Sequence, residues 1–228
     1  MFGYYGTKRS IAHYYPEPLY DTIVEPFCGA AGYSLHGLRW RKQVRLFDVD
    51  PSVVAAWDFL IHANYKDIIE LPILKPGETV SNIDGLEHGA RCFLGFMISA
   101  SPATVKNTAT VKTRWTKTKR RWAADRVWKV NHWTIENLNF RALRLGYRVS
   151  WFVDPPYEQD KNNYRFGMTA ADYYALGLAV REWQGQLIVC EGDGVTWIDA
   201  KPLVSIQGQG SVDRPGRKST EYLYYRED

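Results

Sequence analysis

The chain has few cysteines, no long apolar run and little net charge. Among its 228 residues are three cysteines, and these form no CxxC pair. That argues against a zinc cluster or a disulfide framework and suits a reducing cytoplasm. No run of about 18 apolar residues occurs, so no membrane span is expected, and the N-terminus lacks the apolar core of a secretion signal. The net charge of +4 is too small to indicate a polyanionic partner by itself.

The order of the apolar runs predicts an α/β fold. The first elements expected are a strand over 21–27, a loop of small residues at 28–32, a short helix over 33–40, a strand over 44–47 and a helix from Pro51 to residue 63. This β-loop-α-β-α order is the opening of a doubly wound sheet. The later elements expected are a helix over 131–145, a strand over 147–153, a helix over 169–183 and strands near 186–191, 202–206 and 220–225.

An irregular middle segment interrupts this order. Residues 71–85 are rich in proline and glycine, and residues 87–129 show weak periodicity with many threonines, lysines and tryptophans. The sequence therefore predicts one α/β domain formed by residues 1–71 and 131–228, with a small, mostly helical or irregular insertion at 72–130.

The most distinctive motif is Asp154-Pro155-Pro156-Tyr157, directly after the apolar run 149–153. Pro155 has a fixed φ and no N–H, and it keeps Asp154 out of the helical region, so the turn is stiff. Such a turn can hold a planar ring that bears an amine. The carboxylate and a backbone carbonyl accept from the NH2 group, and Tyr157, aimed outward, stacks on the ring. The alternative is an ordinary turn at the end of a strand, where aspartate and proline are common.

The loop after the first strand is a candidate ligand loop. Its small residues, including Gly29, let the backbone approach a ligand closely. Glu25 would repel a phosphate, so the loop fits a ligand with a cation or hydroxyl groups. Asp48 lies where α/β nucleotide sites carry a ribose-binding acid, whereas Asp50 is expected to cap the helix at Pro51. Loop and acid together indicate an adenosine-containing ligand, and a tight strand-to-helix turn is the alternative.

Residues 106–129 form a basic segment with nine lysines and arginines, one acid and three interleaved tryptophans. Cations alternating with aromatics suit nucleic-acid contacts. The candidate contacts are Lys112, Arg114, Lys117, Lys119, Arg120 and Arg121. The alternative is a solvated charged face over a small tryptophan-centred core.

The N-terminal residues 3–9 are a further candidate. They are more typical of a ligand lid than of a frayed terminus.

Five segments together resemble the Dam-like DNA adenine-N6 methyltransferases of the α group. Residues 6–8, with Tyr4 upstream, resemble the family's GxK cofactor motif; 25–29 resemble EPFxG; 47–50 resemble the acid after strand two; 154–157 match the catalytic DPPY; and 217–223 resemble the closing R-K-x-x-E-x-L pattern. The resemblance spans nearly the whole chain, and EPFxG followed by DPPY is a specific combination.

The resemblance implies a Rossmann-like class I methyltransferase sheet with helices on both faces. It also implies that residues 1–71 and 131–228 form the catalytic domain and that 72–130 form a target-recognition insertion. It implies S-adenosylmethionine as methyl donor and an adenine in double-stranded DNA as acceptor, with neither a metal nor a membrane involved. The implied cofactor contacts are Tyr4, Lys8, Glu25, Pro26, Phe27, Gly29, Asp48 and Asp154. We expect a monomer, with a dimer on DNA as the alternative, in the cytoplasm of a bacterium or a phage-infected host, where such enzymes serve restriction-modification.

An adenine inside a duplex must be flipped out before its amine can be methylated. The resemblance implies that Asp154 and the carbonyl of Pro155 accept from N6 and that Tyr157 stacks on the base, with Tyr164 or Phe166 on the other face. Two departures are Ala31, where the family commonly has glycine, and residues 190–193, where it often has Ser-Asn. The insertion also lacks the N-V-P-type motif of GATC-reading members, so GATC specificity is not implied.

Two other readings stay open. A cytosine-N4 or RNA-adenine methyltransferase can use the same clamp, because each acts on an exocyclic amine of a planar ring. A non-catalytic nucleic-acid-binding homologue would keep the basic segment and lose the cofactor loop. The intact DPPY motif and Lys8 argue against the second reading.

Overall fold

The computed structural model describes residues 1–99, 103–159, 164–207 and 218–228. Its centre is a seven-stranded sheet with the order β3-β2-β1-β4-β5-β7-β6. The strands are β1 (Thr22–Glu25), β2 (Gln43–Asp48), β3 (Thr134–Asn137), β4 (Val149–Val153), β5 (Gly185–Glu191), β6 (Lys201–Gln207) and β7 (Lys218–Arg226). The first five run parallel, and β7 runs antiparallel to both β5 and β6.

The strand order determines where a site can form. β2 and β3 lie on one side of β1, and β4 and β5 lie on the other. In open α/β sheets such a reversal opens a crevice at the carboxyl ends of the strands. Glu25 ends β1, Asp48 ends β2 and Asp154 follows β4, so three acids meet at this edge.

Five helices accompany the sheet: α1 (Pro51–His62), α2 (Tyr65–Ile69), α3 (His88–Met97), α4 (Lys117–Ala124) and α5 (Ala170–Glu182). α1 begins as expected, because the Asp50 side chain accepts from the backbone N–H of Ser52 at 2.8 Å and Pro51 occupies the first turn. α5 begins with a capping box in which Thr169 and Asp172 bond each other's backbone N–H groups.

The core lies on both faces of the sheet. Alternate residues of a strand point to opposite faces, and in β4 Phe152 joins the cluster that contains Trp57 of α1, whereas Trp151 joins the cluster against α5. Trp151 stacks on Trp183 with ring centroids 4.1 Å apart. The strand order, the reversed β7 and the helices on both faces confirm the predicted Rossmann-like methyltransferase fold class.

The predicted helix over 131–145 is wrong. These residues form the edge strand β3 and a 3₁₀ turn at Phe140–Ala142. Asn137 donates from its side chain to the carbonyl of Asp48 at 2.8 Å, and the Asn139 side chain caps the turn. Pairing with β2 therefore overrides the helical spacing of the apolar residues.

The predicted helix over 33–40 is also wrong. The segment consists of turns followed by a 3₁₀ helix at Arg39–Arg41. Gly37 interrupts the segment at φ +56°, a left-handed conformation that glycine adopts without strain.

The division into a catalytic domain and an insertion at 72–130 stays a prediction. Within that segment, Phe93 of α3 and Trp115 belong to the same buried cluster as Trp57. Gly89 allows close contact with α1, because a Cβ there would lie 2.7 Å from the carbonyl oxygen of Ala55. None of the helices in the described ranges is long and apolar enough to cross a membrane.

Gly185→Ala tests the start of β5. Gly185 has φ +103°, and a Cβ there would lie 2.3 Å from the carbonyl oxygen of Val149 in the neighbouring strand. We expect the variant to lower the free energy of unfolding by about 2–3 kcal/mol, measured by urea denaturation. Gly146→Ala is the matched control, because nothing lies within 4 Å of its added Cβ. Equal stability of the two variants would contradict the strained contact.

Candidate active site

A single cavity lies at the edge of the sheet where β1, β2 and β4 end. It encloses about 240 Å³. Of the predicted cofactor residues, those that line it are Tyr4, Lys8, Glu25, Phe27, Gly29, Asp48 and Asp154. Pro26 is buried in the strand-end turn and is not part of the described lining. Tyr164 and Phe166, predicted to contact the base, line the same cavity.

Two residues of the loop after β1 have a left-handed backbone conformation. Gly29 has φ +43°, and a Cβ there would lie 2.9 Å from the ring of Tyr4. Ala31, which departs from the family's glycine, has φ +47°, a strained conformation for a residue with a side chain. The indole N–H of Trp57 in α1 donates to the carbonyl of Gly29 at 2.7 Å, and this hydrogen bond ties the loop to α1.

Asp48 organises this loop from the end of β2. Its carboxylate accepts from the backbone N–H of Gly29 at 3.0 Å and from that of Asp50 at 2.9 Å. Burial raises the pKa of Asp48 to about 6, and these two hydrogen bonds oppose the rise. The acid thus already has a structural role at the cavity wall, and ribose binding by it stays a prediction.

Lys8 and Asp154 form a buried ion pair in the cavity. Lys8 Nζ lies 2.7 Å from Asp154 Oδ1 and also donates to the carbonyl of Gly6 at 2.9 Å. Burial raises the pKa of Asp154 to about 6, and Lys8 opposes that rise. Burial alone would lower the pKa of Lys8, but the carboxylates of Asp154 and Glu221 hold it above its ordinary value. The pair therefore favours the charged form of Asp154, whose side chain is half-buried.

Tyr157 is not aimed outward as the stiff turn suggested. Its hydroxyl donates to Glu221 Oε1, which also accepts from the hydroxyl of Tyr15 at 2.5 Å. The Lys8 ammonium lies 4.6 Å from the centroid of the Tyr157 ring. A buried phenol needs an acceptor, and Glu221 supplies one from β7. Tyr157 is not part of the described cavity lining, and base stacking by it stays a prediction.

The two prolines of the motif are buried, and they hold the turn that follows β4. Pro156 lines the cavity, whereas Pro155 is not part of the described lining. The carbonyl of Pro156 accepts from the hydroxyl of Tyr173 of α5 at 2.6 Å.

Glu25 is buried at the end of β1. Its Oε1 accepts from the hydroxyl of Ser34 at 2.5 Å and from the backbone N–H of Ser34 at 3.0 Å. Burial raises the pKa of Glu25 to about 8, and both bonds from Ser34 oppose the rise. Arg39 also lowers the pKa of Glu25 electrostatically, but Glu25 forms no salt bridge within the described residues.

Several residues of the site carry no readable signal in the sequence. Ser34, Asn139, Phe140 and Asp172 reach it only through folding. Glu221 was part of the tail that resembles the closing family motif, but nothing in the sequence connected it to Tyr157. Of that tail, Arg217 lies outside the described residues.

The six predicted phosphate contacts of the basic segment lie outside the described cavity lining. Lys112, Arg114, Lys117 and Arg121 are exposed, whereas Lys119 and Arg120 are half-buried. Among the described residues, two of the six have a carbonyl or carboxylate partner for their side chains. Arg120 donates to the carbonyl of Leu71 at 2.7 Å, and Arg121 pairs with Asp125 at 3.2 Å. No group of three or more potential metal ligands occurs in the described ranges.

No protein family and no curated protein matches the chain. Solved structures do match it at low similarity. The rRNA methyltransferase AviRa from Streptomyces viridochromogenes is 14% identical, with a TM-score of 0.41, over 90% of this chain and 76% of that one. The glycopeptide N-methyltransferase MtfA in complex with S-adenosyl-L-methionine is 12% identical, with a TM-score of 0.39, over 100% of this chain and 68% of that one. Similarity this low carries no conclusion about activity.

Glu25→Gln tests the buried carboxyl. Because the pKa of Glu25 is raised from 4.5 to about 8, its contribution to stability is present below pH 4.5 and is lost as the pH rises to about 8. The amide oxygen of the variant can still accept from Ser34. We expect the free energy of unfolding of the variant, relative to that of the wild type, to increase by at least about 1.4 kcal/mol from pH 5 to pH 9. Urea denaturation at both pH values measures this difference.

The exposed Glu182 at the end of α5 offers a matched control as Glu182→Gln. A Glu25→Gln variant whose stability follows the wild type in parallel from pH 5 to pH 9 would show that Glu25 titrates normally.

Proposed function

We propose that this chain is an S-adenosylmethionine-dependent methyltransferase that acts on N6 of a flipped-out adenine in duplex DNA. The observation that carries the proposal is the shared cavity. Asp154, which can accept a hydrogen bond from an amine, lines the same cavity as Glu25, Asp48 and the loop after β1. A methyl donor bound at the loop and a base bound at Asp154 would therefore share one cavity.

The residues of the loop fit the methyl donor. Gly29 lets the ring of Tyr4 pack closely on the loop, and Glu25 offers a buried carboxyl for an ammonium group. Tyr4, Phe27 and Asp48 complete the wall on which an adenosine would lie. When bound, the donor supplies an activated methyl group on a sulfonium.

Asp154 orients the acceptor amine. Its carboxylate accepts from N6–H, which turns the nitrogen lone pair toward the donor, and Lys8 keeps that carboxylate charged. As the new C–N bond forms and the C–S bond breaks, the nitrogen becomes acidic and releases its proton toward Asp154. Positioning and electrostatics of this kind account for most of the acceleration expected. Tyr164 and Phe166 offer aromatic faces for the base.

The substrate is tested in two separate reactions, each with the protein and tritiated S-adenosylmethionine. One contains unmodified duplex DNA and the other contains RNA. The methylated product is digested to nucleosides and identified by mass spectrometry. N6-methyladenine from duplex DNA supports the proposal. N4-methylcytosine, or transfer to RNA alone, would replace it with one of the two related activities. Calorimetric titration with the donor separates an enzyme from a non-catalytic homologue, which would give no heat of binding.

Asp154→Asn should reduce methyl transfer by at least about 100-fold, because the amide cannot accept and hold charge as the carboxylate does. The affinity of the variant for DNA, measured without the methyl donor, should change little. The matched control is Asp199→Asn, an exposed acid on the chain after β5, which should retain normal transfer. Thermal unfolding of both variants checks the fold, since the substitution removes the partner of buried Lys8. Near-normal transfer by Asp154→Asn would refute the assignment.

The pH profile tests the Lys8–Asp154 pair. With the pKa of Asp154 at about 6, the single-turnover rate should fall about tenfold per pH unit below pH 6, because the protonated acid no longer accepts. Lys8 lowers that pKa, so Lys8→Met should move the midpoint to higher pH. Asp48 also has a pKa of about 6, but Lys8 is not among the groups that shift it. An unchanged midpoint in Lys8→Met would assign the titration to another group.

A further inference from the structure

Three cations gather around the ring of Trp122, and a fourth lies near one of them. The charged groups of Arg9, Lys119 and Arg126 lie 5.1, 4.4 and 5.0 Å from the centroid of the Trp122 ring. Arg114 is close enough to act on Lys119 electrostatically. We refer to these five residues as the Trp122 cluster. Only Arg114 and Lys119 belong to the set predicted from the sequence.

The charges of the Trp122 cluster have no internal counter-ion. Within the described part of the chain, none of its four cations forms an ion pair, whereas the neighbouring Arg121 does. The pKa of Lys119 is lowered by burial and further by Arg9, Arg114 and Arg126. The aromatic ring compensates part of this repulsion. The remaining excess of positive charge would be relieved by an anion outside the chain.

The cluster adjoins the proposed reaction site through a single peptide unit. Lys8 and Arg9 are consecutive in the 3₁₀ helix Lys8–Ser10, so their Cα atoms are about 3.8 Å apart. Lys8 extends into the cavity toward Asp154, whereas Arg9 extends to Trp122. A group held by Arg9 would therefore be bound by the same short helix that supplies Lys8 to the cavity.

The arrangement favours phosphates over bases as the bound groups. Trp122 packs against the hydrophobic core, and three cations surround its ring, so little of the ring is free to stack on a base. Single-strand binding depends on such stacking. Duplex DNA carries about one charge per 1.7 Å of its axis, a density that four adjacent cations can match, and arginine binds phosphate through two parallel hydrogen bonds.

We propose that the Trp122 cluster binds backbone phosphates of duplex DNA next to the nucleotide that enters the cavity, with Arg9 and Arg126 as its anchors. The choice of DNA rests on the proposed function. Arg121 of the continuous basic run is neutralised by Asp125. Arg126 also has an internal hydrogen bond, to the carbonyl of Trp122 at 3.3 Å, but that bond leaves its charge without a described counter-ion.

Fluorescence anisotropy with a short labelled duplex of mixed sequence tests the cluster, with salt varied between about 50 and 200 mM. The test variant is Arg9→Gln with Arg126→Gln. The matched control is Lys112→Gln with Lys117→Gln, which removes the same charge from exposed residues of the predicted run. We expect the test variant to lose about tenfold or more in affinity and about 2 in the slope of log affinity against log salt. The control should change by less than about threefold.

A conservative variant separates charge from folding. Arg9→Lys with Arg126→Lys keeps both charges, so its salt slope should equal that of the wild type while its affinity falls only moderately. Equal losses in the test and control variants would overturn the proposal, as would a wild type that binds no duplex. Larger losses with single-stranded DNA or duplex RNA than with duplex DNA would overturn the choice of ligand.

The binding assay needs no methyl donor and therefore stands apart from the proposed reaction. If the wild type binds duplex DNA through the cluster but transfers no methyl group, the proposed function fails and the cluster assignment holds. If the wild type methylates DNA and the test variant binds normally, the cluster assignment fails and the function holds.

Discussion

The ion pair between Lys8 and Asp154 joins the N-terminal segment to the end of β4, and the geometry of the cavity depends on it. Without Lys8, burial would favour a protonated Asp154. Without Asp154, a lysine with 6% side-chain exposure would lack its carboxylate partner. Each residue thus makes the burial of the other tolerable, as expected for a buried pair that is also hydrogen-bonded. Lys8 also donates to the carbonyl of Gly6, so the same side chain holds the turn before it.

The three acids at one edge of the sheet would repel one another if all of them were charged. The chain separates them by giving each a different partner. Glu25 accepts from Ser34, Asp48 accepts from backbone N–H groups, and Asp154 pairs with Lys8. The carboxyls consequently have different pKa values, from about 6 for Asp48 and Asp154 to about 8 for Glu25. Of the three, Asp154 alone has a salt-bridge partner among the described residues.

Local patterns in the sequence were enough to predict β1, β4, β5 and the cap of α1, because apolar runs and capping residues act over short distances. Edge strand β3 was missed, since its pairing with β2 comes from distant residues. The acids of the cavity were found from motifs, but the inward turn of Tyr157 was not, because its acceptor Glu221 is 64 residues away in sequence. Likewise, the basic run was visible as composition, whereas the gathering of Arg9 and Arg126 on Trp122 requires the fold.

The position of Glu221 on β7 has a consequence for synthesis on the ribosome. β7 inserts between β5 and β6 and runs opposite to both, and it delivers the acceptor shared by Tyr15 and Tyr157. The parallel half of the sheet can form while the chain is still emerging, but the two tyrosines gain their acceptor only after β7 has been made. In a nascent chain, both phenols therefore lack this acceptor until the residues of β7 have been synthesised.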